Sequence, residues 1–218
     1  MRANLIDWEI HPIVLNPFLT FKKIWGIPDK HKPFFLYLKV KNTEIMSYPL
    51  SQSQLSIFLA CQGLNENDGN YQQASLYRLP DSVDIRRLVA AFEALIKAHP
   101  YVLSRIVLEE GMPRIEDHST DEWHPLVKEI TSIDEVRPTF CRTMNLLKDP
   151  LLRIEIYKTK KGNYLYCDLH HIIFDGASTI LLTDHLTRAY AGEELPPEPL
   201  NGFDIATREE AQRQGETY

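Results

Sequence analysis

The sequence predicts an α/β fold on three observations. An amphipathic helical repeat runs from Val83 to Ile96, an alternating apolar hairpin from Leu152 to Leu169, and a second helical repeat follows that hairpin directly. A chain of 218 residues suits one large domain or one lobe of a larger one, with enough length to bury a substantial core. Its 44% hydrophobic and 25% charged residues are ordinary for a soluble globular protein.

Taken in order, the elements read as follows. Residues 1 to about 33 lack a regular pattern; Trp8, Phe18, Phe21 and Trp25 are scattered among Pro12, Pro17, Pro28 and Pro33. This reads as an extension packed on the domain or on a neighbour, because so many aromatics left in water would be sticky. Phe34 to Lys41 alternates weakly, as a short strand would. Ser51-Gln52-Ser53-Gln54 supplies an N-cap before Leu55, Phe58 and Leu59, with Gly63 as the stop, giving a short helix. Tyr71 to Leu79 reads as a strand and Pro80-Asp81 as a turn. The helix carrying Leu88, Val89, Phe92, Leu95 and Ile96 is expected to open at Ser82 or Asp81 and to close before Pro100. Tyr101 to Leu108 and Pro113 to Glu116 form a predicted hairpin through Glu110-Gly111.

The second hairpin carries the strongest pattern. Leu152, Ile154 and Ile156 alternate with Arg153, Glu155 and Tyr157; Lys160-Lys161-Gly162-Asn163 is the turn, and Leu165, Cys167 and Leu169 share one face of the return strand. The next helix carries Ile180, Leu181, Leu182, Leu186, Ala189 and Tyr190 and stops at Gly192. Pro196-Pro197-Glu198-Pro199 is a stiff connector, and the polar tail from Phe203 to Tyr218 is helix-prone.

Several function classes are disfavoured. A net charge of -6 argues against a nucleic-acid or anionic-membrane surface. Cys61, Cys141 and Cys167 are odd in number and lack CxxC spacing, which argues against a disulfide framework or a zinc knuckle and for a reducing cytoplasm. Asp7, Glu9, Lys22 and Lys23 interrupt any apolar run near the N-terminus, so no signal peptide is expected, and the most apolar stretches are too short to span a bilayer.

Chemistry concentrates at His170-His171-Ile172-Ile173-Phe174-Asp175-Gly176. Adjacent histidines at a strand end point to opposite faces, so one is expected to be buried and the other to meet solvent or substrate. Parity alone does not say which. Asp175 lies where a carboxylate can bond backbone or an arginine and hold the loop, and Gly176 permits positive φ or close approach. An imidazole there suits attack of an amine or hydroxyl on a thioester, taking the proton near neutrality and returning it to the leaving thiolate. A metal site is disfavoured, because diverging imidazoles do not converge on one ion and no HExxH pattern is present. Ser178 lacks a GxSxG elbow and reads as a helix-start cap; Lys160 and Lys161 read as a solvated turn.

These motifs resemble the condensation domains of nonribosomal peptide synthetases, in the superfamily with the chloramphenicol acetyltransferase fold. Leu50-Ser51-Gln52-Ser53-Gln54-Leu55-Ser56-Ile57-Phe58-Leu59 looks like the family's first motif, and His99 to Ile106 lies where the RHExLRTxF motif should be. Asp149-Pro150-Leu151-Leu152-Arg153 matches a PLLR element, His170 to Gly176 is a full HHxxxDG match, and Asp204-Ile205-Ala206 looks like a weak fourth motif. The resemblance covers roughly residues 48 to 218. It implies an α+β sandwich with a mixed sheet and flanking helices, with residues 1–47 as an N-terminal extension and 48–218 as the N-terminal lobe of a two-lobed domain, the second lobe being absent.

The same resemblance implies that His171 is catalytic and His170 supports the loop. It also implies that Asp175 is structural through an arginine and that the Gly176 backbone lines the reaction centre. Ala98 and Leu103 stand where the second motif carries arginines, so either Arg105 or Arg153 is the candidate substitute partner for Asp175. The implied activity is amide formation between thioesters on donor and acceptor peptidyl carrier proteins. The carriers would supply the phosphopantetheine arms, no cofactor would be held permanently, and an adenylation domain and the second lobe would belong to the parent chain. The lobe alone is expected to be inactive. Two other readings compete: a stand-alone CoA-dependent acetyltransferase, whose HHxxxDG lies nearer the C-terminus, and a non-catalytic lobe that docks carrier proteins.

Overall fold

The computed structural model describes residues 45–62, 71–119, 121–137 and 143–215. The aromatic extension, the expected strand at Phe34 to Lys41 and the stop at Gly63 lie outside the described residues. Seven strands and four α-helices follow in the order β1 (Ser47–Pro49), α1 (Gln52–Gln62), β2 (Gln72–Arg78), α2 (Ile85–Ala98), β3 (Arg105–Glu109), β4 (Met112–Glu116), β5 (Leu126–Glu129), β6 (Leu152–Thr159), β7 (Gly162–His170), α3 (Gly176–Ala191) and α4 (Gly202–Arg213). A 3₁₀ turn at Pro100–Leu103 joins α2 to β3, and another sits at Ile133–Glu135.

The strands form two sheets. The smaller is antiparallel with order β1-β4-β3; the larger runs β2-β7-β6-β5, antiparallel except for the parallel β5–β6 pair, and so is mixed as expected. Glu110 and Gly111 both take positive φ (51° and 81°) in the two-residue turn between β3 and β4. That is the turn whose twist matches a hairpin.

Local chemistry sets most boundaries, and in four places it differs from the sequence reading. The cap of α2 is Asp84, whose carboxylate accepts from the backbone N–H of Arg86 and Arg87 at 2.8 and 3.2 Å; Ser82 and Asp81 are instead part of the preceding turn. Tyr101 to Leu103 belong to the 3₁₀ turn that Pro100 opens, so β3 begins only at Arg105. Asp175, not Ser178, caps α3. The turn between β6 and β7 is only Lys160-Lys161, because Thr159 already pairs with Gly162.

The second face of the β6–β7 hairpin, to which the sequence reading assigned no environment, is buried as well. Arg153, Glu155 and Tyr157 alternate with the aliphatic residues, yet all three are buried. They are affordable inside because they are paired. Arg153 Nη1 lies 3.7 Å from Asp168 Oδ2, the Tyr166 hydroxyl donates to Asp168 at 3.0 Å, and the Tyr157 hydroxyl donates to Glu155. Lys128 of β5 approaches Glu155 at 3.7 Å.

Helix α2 packs on α3. His99, at the C-terminus of α2, stands with Nε2 2.7 Å from Nδ1 of His185 on α3 and Nδ1 3.2 Å from Glu198 in the proline-rich connector. Helix α4 lies against β1, where Phe203 stacks on Tyr48 at 4.6 Å and meets the Tyr101 ring edge-on at 4.8 Å. Among the described residues no helix is long and apolar enough to cross a membrane, and Cys61 and Cys167 are free thiols.

Candidate active site

β7 ends at His170, where the chain turns sharply toward α3. The turn is closed by the Ile173 N–H donating to the His170 carbonyl at 3.1 Å. The two histidine backbones are held from opposite sides: His170 N–H donates to the Leu151 carbonyl at 3.0 Å, and His171 N–H to the Tyr71 carbonyl at 2.7 Å. Side-chain parity then separates the rings. His170 is 3% exposed, whereas His171 is half-buried beside Gln73.

Their hydrogen bonds assign the protons. The Ile172 N–H lies 3.1 Å from Nδ1 of His170 and can only donate, so that nitrogen is unprotonated and the ring proton sits on Nε2, 3.9 Å from the Cys61 sulfur. Burial, with help from the neighbouring His171, pushes the His170 pKa down to about 4. At His171 the pattern is reversed. Its Nδ1 faces the Phe174 carbonyl at 3.0 Å, which can only accept, so Nδ1 carries the proton and Nε2 presents a lone pair. His171 is thus the ring whose Nε2 carries a lone pair on the less buried side, while His170 is buried and neutral.

Asp175 is exposed, and its carboxylate accepts from the Ser178 N–H and the Ser178 hydroxyl, both at 2.8 Å. Those bonds hold its pKa below the usual carboxylate range. Neither arginine expected to support it is near. Arg105 lies on β3 in the other sheet and pairs with Asp121 at 3.6 Å. Arg153 faces Asp168 across the β6–β7 ladder and reaches Asp149 at 4.0 Å. Gly176 opens α3 without positive φ, and a Cβ added there would meet nothing within 4 Å.

Four contacts at this site are absent from the sequence reading. Gln54 sits in the first motif without an assigned role; it proves to be a buried clamp whose carboxamide donates to the Ile172 carbonyl at 2.8 Å and to the Tyr101 hydroxyl at 2.6 Å. Its carbonyl oxygen accepts from the Ser51 N–H at 3.1 Å. Burial drives the Tyr101 pKa up to about 12, so that hydroxyl stays protonated. Gln73 places its carboxamide nitrogen 2.7 Å from Nε2 of His171. Its only sequence signal is a polar side chain on the strand face that otherwise points toward Leu169.

The Condensation domain family model matches residues 44–218, a span that contains every residue described above. The chain belongs to the condensation domain family. Surfactin synthase subunit 1 of Bacillus subtilis (strain 168) is 32% identical over 162 residues, covering 73% of this chain and 4% of that protein. Tyrocidine synthase 3 of Brevibacillus parabrevis is 28% identical over 175 residues, covering 78% of this chain and 3% of that protein. Among solved structures, the starter condensation domain of rhizomide synthetase superposes with a TM-score of 0.61 at 20% identity, over 78% of this chain and 44% of that one. The condensation domain from Monacolin K polyketide synthase gives 0.65 at 17% identity, over 78% of this chain and 40% of that one. The expected α/β condensation-domain fold is therefore the one observed. This chain spans a few per cent of the two synthetases named and under half of the two solved chains named.

Proposed function

We propose that this chain is the imidazole-bearing lobe of a domain that forms an amide between two carrier-bound thioesters in nonribosomal peptide synthesis. The observation that carries the reading is the proton assignment at the histidine pair, which leaves a lone pair on Nε2 of half-buried His171. In the proposed step the amine nitrogen of an aminoacyl thioester attacks the carbonyl carbon of an acyl or peptidyl thioester. A C–N bond forms, the C–S bond breaks, and Nε2 of His171 takes the amine proton and returns it to the departing thiolate. Such acid–base help contributes about 10²–10⁴ in rate. Orientation of two large substrates supplies the rest, which requires a second wall.

On this reading the phosphopantetheine arms are part of the substrates and arrive on donor and acceptor carrier proteins. The second lobe and an adenylation domain belong to the parent synthetase, and residues 48–218 form the first lobe, with 1–47 preceding it. His170 and Gln54 hold the loop in shape, and Asp175 caps the helix that follows. The test compares wild type with His171→Ala in the two-lobed enzyme, measuring dipeptidyl-carrier formation by mass spectrometry. A loss of about 100-fold or more is expected; an unchanged rate removes His171 from the chemistry.

A further inference from the structure

We propose that Gln73 is a positioning residue for His171: it bonds Nε2 in the resting site, holds the ring whose tautomer the Phe174 carbonyl sets, and gives that lone pair up to the incoming amine. This rests on His171 being the base. The geometry leaves little choice of roles. The Phe174 carbonyl takes the proton of Nδ1, so Nε2 of the neutral ring can only accept. The Gln73 carboxamide nitrogen 2.7 Å away can only donate. Both ring nitrogens of His171 are therefore engaged, one by backbone and one by an amide side chain.

The ladder builds this contact in. Gln73 pairs with Leu169 in the β2–β7 register, so His171, one residue past the end of β7, is its diagonal neighbour. Diagonal positions lie about 7–8 Å apart between backbones, a gap that a long side chain closes and a short one does not. Gln73 therefore reaches the ring without distorting either strand.

A carboxamide suits this place because it serves both states of the ring. Neutral imidazole at Nε2 needs a donor, which the amide nitrogen supplies. Imidazolium at Nε2 needs an acceptor, which the carbonyl oxygen supplies after a half-turn of the amide. A carboxylate would favour only the charged ring and retain its proton; an aliphatic side chain would favour neither. The amide can also swing aside when the nucleophile presents its own N–H to Nε2.

The test reads the ring directly and needs no condensation assay. Histidine side chains of the purified chain are labelled with ¹⁵N, the His171 signals are identified by their loss in His171→Ala, and their shifts are followed against pH. Wild type is expected to show protonated Nδ1 and hydrogen-bonded, unprotonated Nε2. In Gln73→Met the Nε2 signal should move toward that of an unbonded lone pair, while the proton stays on Nδ1 against the Phe174 carbonyl. In Gln73→Glu the titration midpoint should rise by about one unit or more, as a carboxylate beside an imidazolium requires. Gln73→Asn, too short for the diagonal, should resemble Gln73→Met and carries the test if the glutamate variant does not fold. Identical His171 shifts and midpoints in wild type and variants would overturn the proposal. A purely structural role would lower thermal stability and leave those signals in place. The amide-forming reading fails separately, on the His171→Ala condensation assay.

Discussion

At His170 the backbone N–H of Ile172 occupies Nδ1 and the surroundings exclude water, so adding a proton to this ring breaks a hydrogen bond and buries a charge. The consequence is a pH dependence of stability with a definite sign. The unfolded ring titrates near 6.5 and the folded one near 4. Above pH 6.5 both states are neutral and nothing is lost. As pH falls from 6.5 to 4 the unfolded chain takes the proton first, and stability should drop by about 3 kcal/mol. Urea midpoints measured from pH 7 to 4 test this, with His170→Gln expected to flatten the decline. A parallel decline in that variant would contradict the assignment. Some slope should persist, because burial and His99 lower the His185 pKa as well. The sequence showed that one of two adjacent rings would be inside, but not which one. That choice depends on which face of the β2–β7 ladder the rest of the fold covers, and the proton positions depend on the Phe174 carbonyl and the Ile172 N–H, backbone groups that have no signature in side-chain pattern.

Helix α3 begins where the site ends, and its first turn explains Asp175. With Ser178 satisfying the carboxylate, Asp175 acts as an N-cap on an exposed helix start. Asp175→Ala should cost about 1 kcal/mol and Asp175→Asn much less, as read from thermal melts. The two candidate arginines should behave differently from each other. Arg105→Ala should change stability by no more than about 0.5 kcal/mol, because its pairing with Asp121 is solvent-exposed. Arg153→Ala removes the cation beside fully buried Asp168 and should cost about 3–5 kcal/mol. Equal effects for the two arginines would refute this placement. Long elements with strong periodicity, such as α2, α3 and the β6–β7 hairpin, could be read from sequence. The three residues of β1 and four of β5 are too short to carry a pattern. The burial of the charges on β6 was not readable, because alternation reports polarity while burial depends on partners contributed by other strands.

Over the described fold as a whole, the site is assembled from segments distant in sequence: Gln54 from α1, Gln73 from β2, Tyr101 from the 3₁₀ turn and the histidines from the end of β7. The α/β class was readable because it follows from element type and order. The clustering of these residues was not, because it follows from the sheet order β2-β7-β6-β5, which brings β2 next to a strand some ninety residues later. The docking of α4 depends on one small residue. A Cβ at Gly202 would stand 2.1 Å from Cζ of Tyr101, the ring that also bonds Gln54. Gly202→Ala should therefore cost about 1–3 kcal/mol and should speed hydrogen exchange in α4 and at the Ile172 turn together. Faster exchange in α4 alone would show that the Tyr101 bridge does not couple them.

On the reading proposed for His171, the ladder between β2 and β7 makes the choice of ring a matter of odd and even counting. One residue inserted into β7 ahead of His170, with the pairing upstream of it kept, would exchange the two faces, exposing the ring of His170 and burying that of His171. Two inserted residues would restore the faces and shift only the reach. A frame-scanning library through this strand should therefore lose and regain function with a period of two, a rhythm that no substitution at a single position would reveal.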